Sequence, residues 1–159
     1  MKEMVYSTQI GREVLDTGFC FGYLYYILNL GTHPTAYVKI PEGHKYFRKS
    51  YSEMDIDVHG GLTYSSNELF ISNSESIRDV WFIGWDYAHL NDYVGYDRHF
   101  TLDRENKKWT TEEMFRETFK KFYEYTGQKL AFLAIISEEN EKYALKHVEL
   151  AKELGTQCR

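Results

Sequence analysis

The hydrophobic pattern of this chain changes period part-way along, and that change restricts the fold more than any other feature. Up to Asp86 the apolar residues alternate or stand in short runs rich in β-formers, and from Thr110 they recur at helical spacing. Phe19, Phe21, Tyr23, Tyr25 and Ile27 alternate as a half-buried strand does, although the run from Gly18 to Leu30 is apolar on both faces and also admits a helix. Gly31-Thr32-His33-Pro34 reads as a turn, followed by a strand from Thr35 to Ile40 that Pro41-Glu42-Gly43 ends. Further strands are expected at Ile56 to Tyr64, Glu68 to Ser72 and Val80 to Asp86. The breaks are Gly60-Gly61, Ser65-Ser66-Asn67 and Ser72-Asn73-Ser74.

Thr110 with Glu113 forms a capping box, and Phe115, Phe119 and Phe122 share one helical stripe that Gly127 closes. A second helix is expected from Glu139 to Leu154, with Ala144, Val148 and Ala151 on one face. Leu130 to Ile136, between them, suits a buried strand or the start of that helix equally. Strands first and helices last give an α+β class: one domain over residues 1–159, an antiparallel meandering sheet packed by two C-terminal helices.

Composition narrows the function. The chain holds 14 Tyr, 10 Phe and 3 Trp in 159 residues, which raises the prospect of a protein-binding surface, since tyrosine suits interfaces and half-buried sheet faces alike. A net charge of −5 with no basic stretch argues against direct binding to nucleic acid. Cys20 and Cys158 make neither a disulfide framework nor a zinc spacing, which fits a reducing compartment. The first residues carry no signal-peptide core, and the apolar stretch from Phe19 to Leu30 is too short to span a bilayer. A cytoplasmic protein with no membrane partner is expected.

Two segments could carry chemistry. Asp55, Asp57 and His59 would share one face of a regular strand, and Gly60-Gly61 frees the backbone beyond it. Asp86, His89 and Asp92 recur at every third residue near the end of an apolar strand. Imidazole and carboxylate are ligands for zinc, iron or manganese, so His59, Asp86, His89 and Asp92 form a candidate catalytic or metal set, with Asp57 behind it. They lack any recognised ligand spacing. The expectation is therefore a structural hydrogen-bond network, with no cofactor and no stoichiometric metal; the alternative is a nucleotide-binding protein or a metal-dependent hydrolase with a His/Asp pocket. No serine or cysteine sits in a nucleophile motif, and the glycines build no phosphate loop. His33, His44, His99 and His147 have no spacing partners.

Pro41-Glu42-Gly43-His44, Asp57-Val58-His59-Gly60-Gly61-Leu62-Thr63 and the Gly84-x-Asp86-x-Ala88-His89-x-x-Asp92 spacing resemble a family of small bacteriophage and prophage proteins of unassigned chemistry. The likeness runs from about residue 37 to 95. By analogy it implies an accessory protein of the anti-CRISPR kind, which binds and blocks a host defence nuclease, an RNA-guided DNA-cutting effector, in the bacterial cytoplasm. Expected contacts are Tyr46, Tyr51, Glu53 and Asp55 on one segment, and Glu138, Glu139 and Glu141 on another, with rings giving contact area and carboxylates giving steering.

Overall fold

A computed structural model of the chain describes residues 1–20, 23–95 and 106–125. Five antiparallel strands form one sheet: β1 (Glu13–Cys20), β2 (Tyr23–Asn29), β3 (Pro34–Ile40), β4 (Tyr64–Phe70) and β5 (Ser76–Asp86). Their order is β1-β2-β3-β5-β4. The first three make a plain meander, with Tyr25 opposite both Gly18 and Val38. The expected meander fails after that point. Residues 41–63 carry the chain past the neighbouring position, and β5 fills it by pairing with β3, Ala36 to Trp85 and Val38 to Ile83.

The two-residue period of the strands divides the sheet into two faces. One face presents Tyr25, Ile27, Ala36, Val38, Ile40, Ile83 and Trp85, all essentially inaccessible to solvent. The helix α1 (Thr111–Tyr125) covers this face through Met114 and Phe115, and the Phe115 ring lies 5.2 Å from that of Tyr25. The opposite face centres on Leu28, Tyr37, Leu69 and Phe82, ringed by half-buried Val14, Tyr26, Tyr64 and Val80. Gly84 is required there, because a Cβ would lie 2.4 Å from the Tyr37 ring and 2.8 Å from the Ala36 carbonyl.

The helix starts as its sequence suggests. The Glu113 N–H donates to Thr110 Oγ1 at 3.2 Å, and Thr111 Oγ1 donates to the carbonyl of Lys2, tying α1 to the amino-terminal segment. The expected second helix, from Glu139 to Leu154, lies outside the described residues, as do Phe21 and Gly127. No described helix is long and apolar enough to cross a membrane.

Three strand expectations change. The alternation from Phe19 to Ile27 belongs to two strands, β1 and β2, whose pairing places Phe19 opposite Leu24. Residues 56–63 are not a strand: Ile56 and Val58 bury against the core, and the chain turns at His59-Gly60 before β4 begins at Tyr64. Ser65-Ser66-Asn67 lies within β4, where Asn67 marks a register shift. Polar residues misled the reading because β4 is an edge strand, half-buried along most of its length, where serine and asparagine are tolerated.

Phe115→Ala should cost about 3–5 kcal/mol, the usual penalty for emptying an aromatic core position. Chemical denaturation followed by tryptophan fluorescence measures this; a loss below about 1 kcal/mol would show that α1 does not close the core.

Candidate functional site

The chain leaves β5 at Asp86, passes through Tyr87 and turns at His89-Leu90-Asn91-Asp92. The turn is closed by its own last residue, because the Asp92 N–H donates to the His89 carbonyl at 3.0 Å and Asp92 Oδ2 accepts the His89 N–H at 3.0 Å. Asn91 supports the bend with φ 73°, a left-handed conformation that asparagine tolerates. Residues 106–109 run beside this turn, with Lys107 N–H donating to the Asn91 carbonyl and Tyr93 N–H to the Lys107 carbonyl. That contact brings Trp109 over the site.

Asp92 is 3% exposed and accepts three hydrogen bonds. Oδ1 accepts from the Trp109 indole at 2.9 Å, and Oδ2 accepts from the His89 backbone and from His59 Nε2 at 2.6 Å. An ionised carboxylate has no proton to give, so His59 donates from Nε2. The His59 ring stacks on Tyr87 at 5.1 Å with a 9° tilt, while Trp109 contacts both rings, at 4.8 Å and 4.9 Å. Tyr87 is fully buried and donates nothing to the site. Its phenol accepts the Trp85 indole N–H, and burial, reinforced by the charge of Glu117, pushes its pKa well above the usual value.

His89 completes the centre. Its Nδ1 lies 3.8 Å from Asp92 Oδ2 and 3.6 Å from Asp86 Oδ1, is buried, and has no hydrogen-bond partner among the described residues. Its ring fits against Gly60, whose absent Cβ would sit 2.1–2.4 Å from three of its atoms, and whose φ of 69° also disfavours a side chain. One ligand atom from each of His59, His89 and Asp92 lies within 4.8 Å of the others. Two imidazoles and a carboxylate so grouped could hold a metal ion if the ligand atoms drew closer around it, with coordination positions left open.

Of the four residues singled out in the sequence, three therefore meet. Asp86 stands at the rim, a quarter exposed, with Oδ1 accepting the Ala88 N–H at 3.2 Å and Oδ2 accepting the Thr63 hydroxyl at 3.1 Å. Asp55 and Asp57 are exposed and do not share a strand face with His59, since no strand forms there. Trp109 and Gly60 position the centre. Trp109 had no signal in the sequence, because only the pairing of residues 91–93 with 107 delivers it.

The expected contact residues sit elsewhere. Tyr51, Glu53 and Asp55 are exposed, and Tyr51–Glu53 forms a short 3-10 turn with a reciprocal cap between Ser50 and Glu53. Tyr46 is half-buried against the core beneath the Lys45 ammonium, which lies 4.7 Å above its ring. Glu138, Glu139 and Glu141 lie outside the described residues, as do His99 and His147. His33 accepts from or donates to Thr32 through Nδ1.

Comparison with protein-family models, with curated proteins and with solved structures gave no match.

His44 generates a pH prediction. Its Nδ1 accepts the Tyr46 N–H at 3.0 Å, leaving Nε2 buried without a partner among the described residues, and burial, with a smaller push from Lys45, lowers its pKa to about 4. The unfolded chain takes up this proton near the ordinary value of about 6.5, before the folded one does. The stability contributed by neutral His44 is therefore complete above that value and falls progressively as pH drops toward about 4. Urea melts across this range should show the decline in the native chain and a weaker one in His44→Gln; equal slopes would contradict the assignment.

Proposed function

We propose that the protein is a metal-dependent hydrolase whose centre is His59, His89 and Asp92. The observation that carries this reading is the grouping of three ligand atoms within 4.8 Å of one another, together with a buried His89 Nδ1 that has no hydrogen-bond partner among the described residues. Leaving such a nitrogen unsatisfied costs about 1–3 kcal/mol, and a cation would satisfy it. The cation would take the place of the proton now shared between His59 and Asp92. Trp109 and the His89 amide would continue to hold the carboxylate, as outer hydrogen bonds hold ligands in known metal sites. Three protein ligands leave room for water and substrate, and a divalent ion there would acidify the water and polarise the bond to be cut. Spacing alone favoured a structural network; the close approach of all three donors favours the metal.

Titration of the metal-free chain with zinc, and with cobalt as a coloured substitute, tests this. One ion per chain and a melting temperature that rises with zinc are expected; a concentration 100-fold above Kd adds about 2.7 kcal/mol of stability. His59→Ala and His89→Ala should abolish binding, and Gly60→Ala should weaken it by displacing the His89 ring. A chain that takes up neither ion, and whose stability zinc does not change, would overturn the reading.

A second reading is an inhibitor of the anti-CRISPR kind from a phage or mobile element. Its support is the turn at Tyr51–Glu53, where the Ser50–Glu53 cap fixes the backbone that presents an exposed tyrosine. A preorganised aromatic anchor loses little entropy on binding a protein. If this surface blocks a defence nuclease, Tyr51→Ala should weaken inhibition of a purified RNA-guided nuclease by about thirtyfold without lowering the melting temperature. Unchanged inhibition, or none by the native chain, would dismiss that nuclease as its partner.

A further inference from the structure

A second site lies away from the His/Asp centre, where three irregular features meet. Between the pairs Ser66–Phe82 and Glu68–Arg78, the single residue Asn67 of β4 faces Asp79, Val80 and Trp81 of β5, so β5 bulges outward. Asp79 in that bulge has φ 59°, and Arg48 in the adjoining loop has φ 60°; both conformations are disfavoured for a residue with a side chain. Trp81 fastens the bulge to the loop by donating its indole N–H to the Lys49 carbonyl at 3.1 Å. Two neighbouring cavities of about 250 and 300 Å³ open here, and Phe47, Asp79, Val80 and Trp81 line both. Bulges and left-handed residues gather where a protein re-aims side chains toward a ligand.

The lining indicates the ligand's chemistry. Lys39 and Glu42 line the first cavity, Arg48 and Asn67 the second, and Asp79 borders both. Donors and acceptors are thus mixed, and each cavity contains charges of both signs. An anion would meet carboxylates, and a cation would meet ammonium or guanidinium groups; a neutral ligand rich in hydroxyls meets partners of both kinds. The rings of Phe47 and Trp81 supply apolar surface for the C–H faces of a saturated ring. We propose that this groove binds a neutral oligosaccharide, with adjacent sugar rings in the two cavities. This site is independent of any metal at His59, His89 and Asp92.

Two-dimensional amide NMR of the whole chain, titrated with cellobiose, maltose and chitobiose, tests the proposal. At least one should shift the Trp81 indole and Asn67 side-chain signals saturably in the millimolar range. Asp79→Gly keeps the left-handed backbone while removing the carboxylate, and Asn67→Ala changes an exposed position opposite the bulge; each should weaken binding by tenfold or more with the remaining spectrum intact. The proposal is overturned if none of the three sugars shifts these signals, if both variants bind as the native chain does, or if glucose 6-phosphate or a proline-rich peptide binds more tightly.

Discussion

The buried carboxylate of Asp92 ties together three parts of the chain that lie apart in the sequence. A desolvated negative charge is tolerable only when hydrogen-bond donors surround it, and Asp92 takes one each from His59, the His89 backbone and Trp109. Those donors belong to the loop before β4, the turn after β5 and the segment leading into α1. Removing the carboxylate would leave three donors facing an apolar pocket, so the geometry of the site and the closure of these segments are one matter. Charge-assisted bonds of this kind are also directional, which explains why the His59 ring lies flat on Tyr87 rather than turning outward.

Beneath this network the sheet supplies rigidity. Tyr25, Trp85, Tyr87 and Phe115 account for much of the buried ring volume, and all belong to the core on the α1 side. Burial of each large apolar side chain contributes about 1.5–3 kcal/mol before chain entropy is counted. The Trp85 indole N–H donates to the Tyr87 hydroxyl, which also hydrogen-bonds the Glu117 side chain, so the core accepts both rings with their polar ends satisfied. The centre therefore sits just beyond the buried end of β5, residues Phe82 to Trp85, on a base that has little freedom to deform. By contrast, the groove beside Trp81 lies where the sheet is irregular, and the two sites draw on opposite properties of the same strand.

Much of the fold was legible in the sequence because it rests on local periodicity. The strand from Thr35 to Ile40 matches β3 to within one residue, and the Thr110–Glu113 cap starts α1 where the spacing places it. Residues 56–63 misled, since Ile56 and Val58 alternate as a strand does yet bury as an extended loop. Sheet order was equally hidden: a meander and the observed order contain the same strands, and only long-range pairing distinguishes them. For the site, residue type selected His59, Asp86, His89 and Asp92 without a recognised spacing, and three of the four meet. Their closeness was not readable, because it depends on a turn at Gly60 and on the parallel bridge between Asp92 and Lys107.

The position of β5 between β3 and β4 has a consequence for the chain as it is made. Once β3 has left the ribosome, β1, β2 and β3 can pair in sequence, but the outer edge of β3 has no neighbour until all of β5 has followed. That edge is Pro34–Ile40, fully buried in the finished sheet at Ala36, Val38 and Ile40 and rich in β-forming residues. During this interval it is an unpaired, apolar strand, the kind of template on which other nascent chains assemble. Only Pro34, which cannot donate to a ladder, and the charge of Lys39 interrupt it. Slower synthesis through residues 41–86 would lengthen the interval in which this edge stands open, independently of how stable the finished fold is.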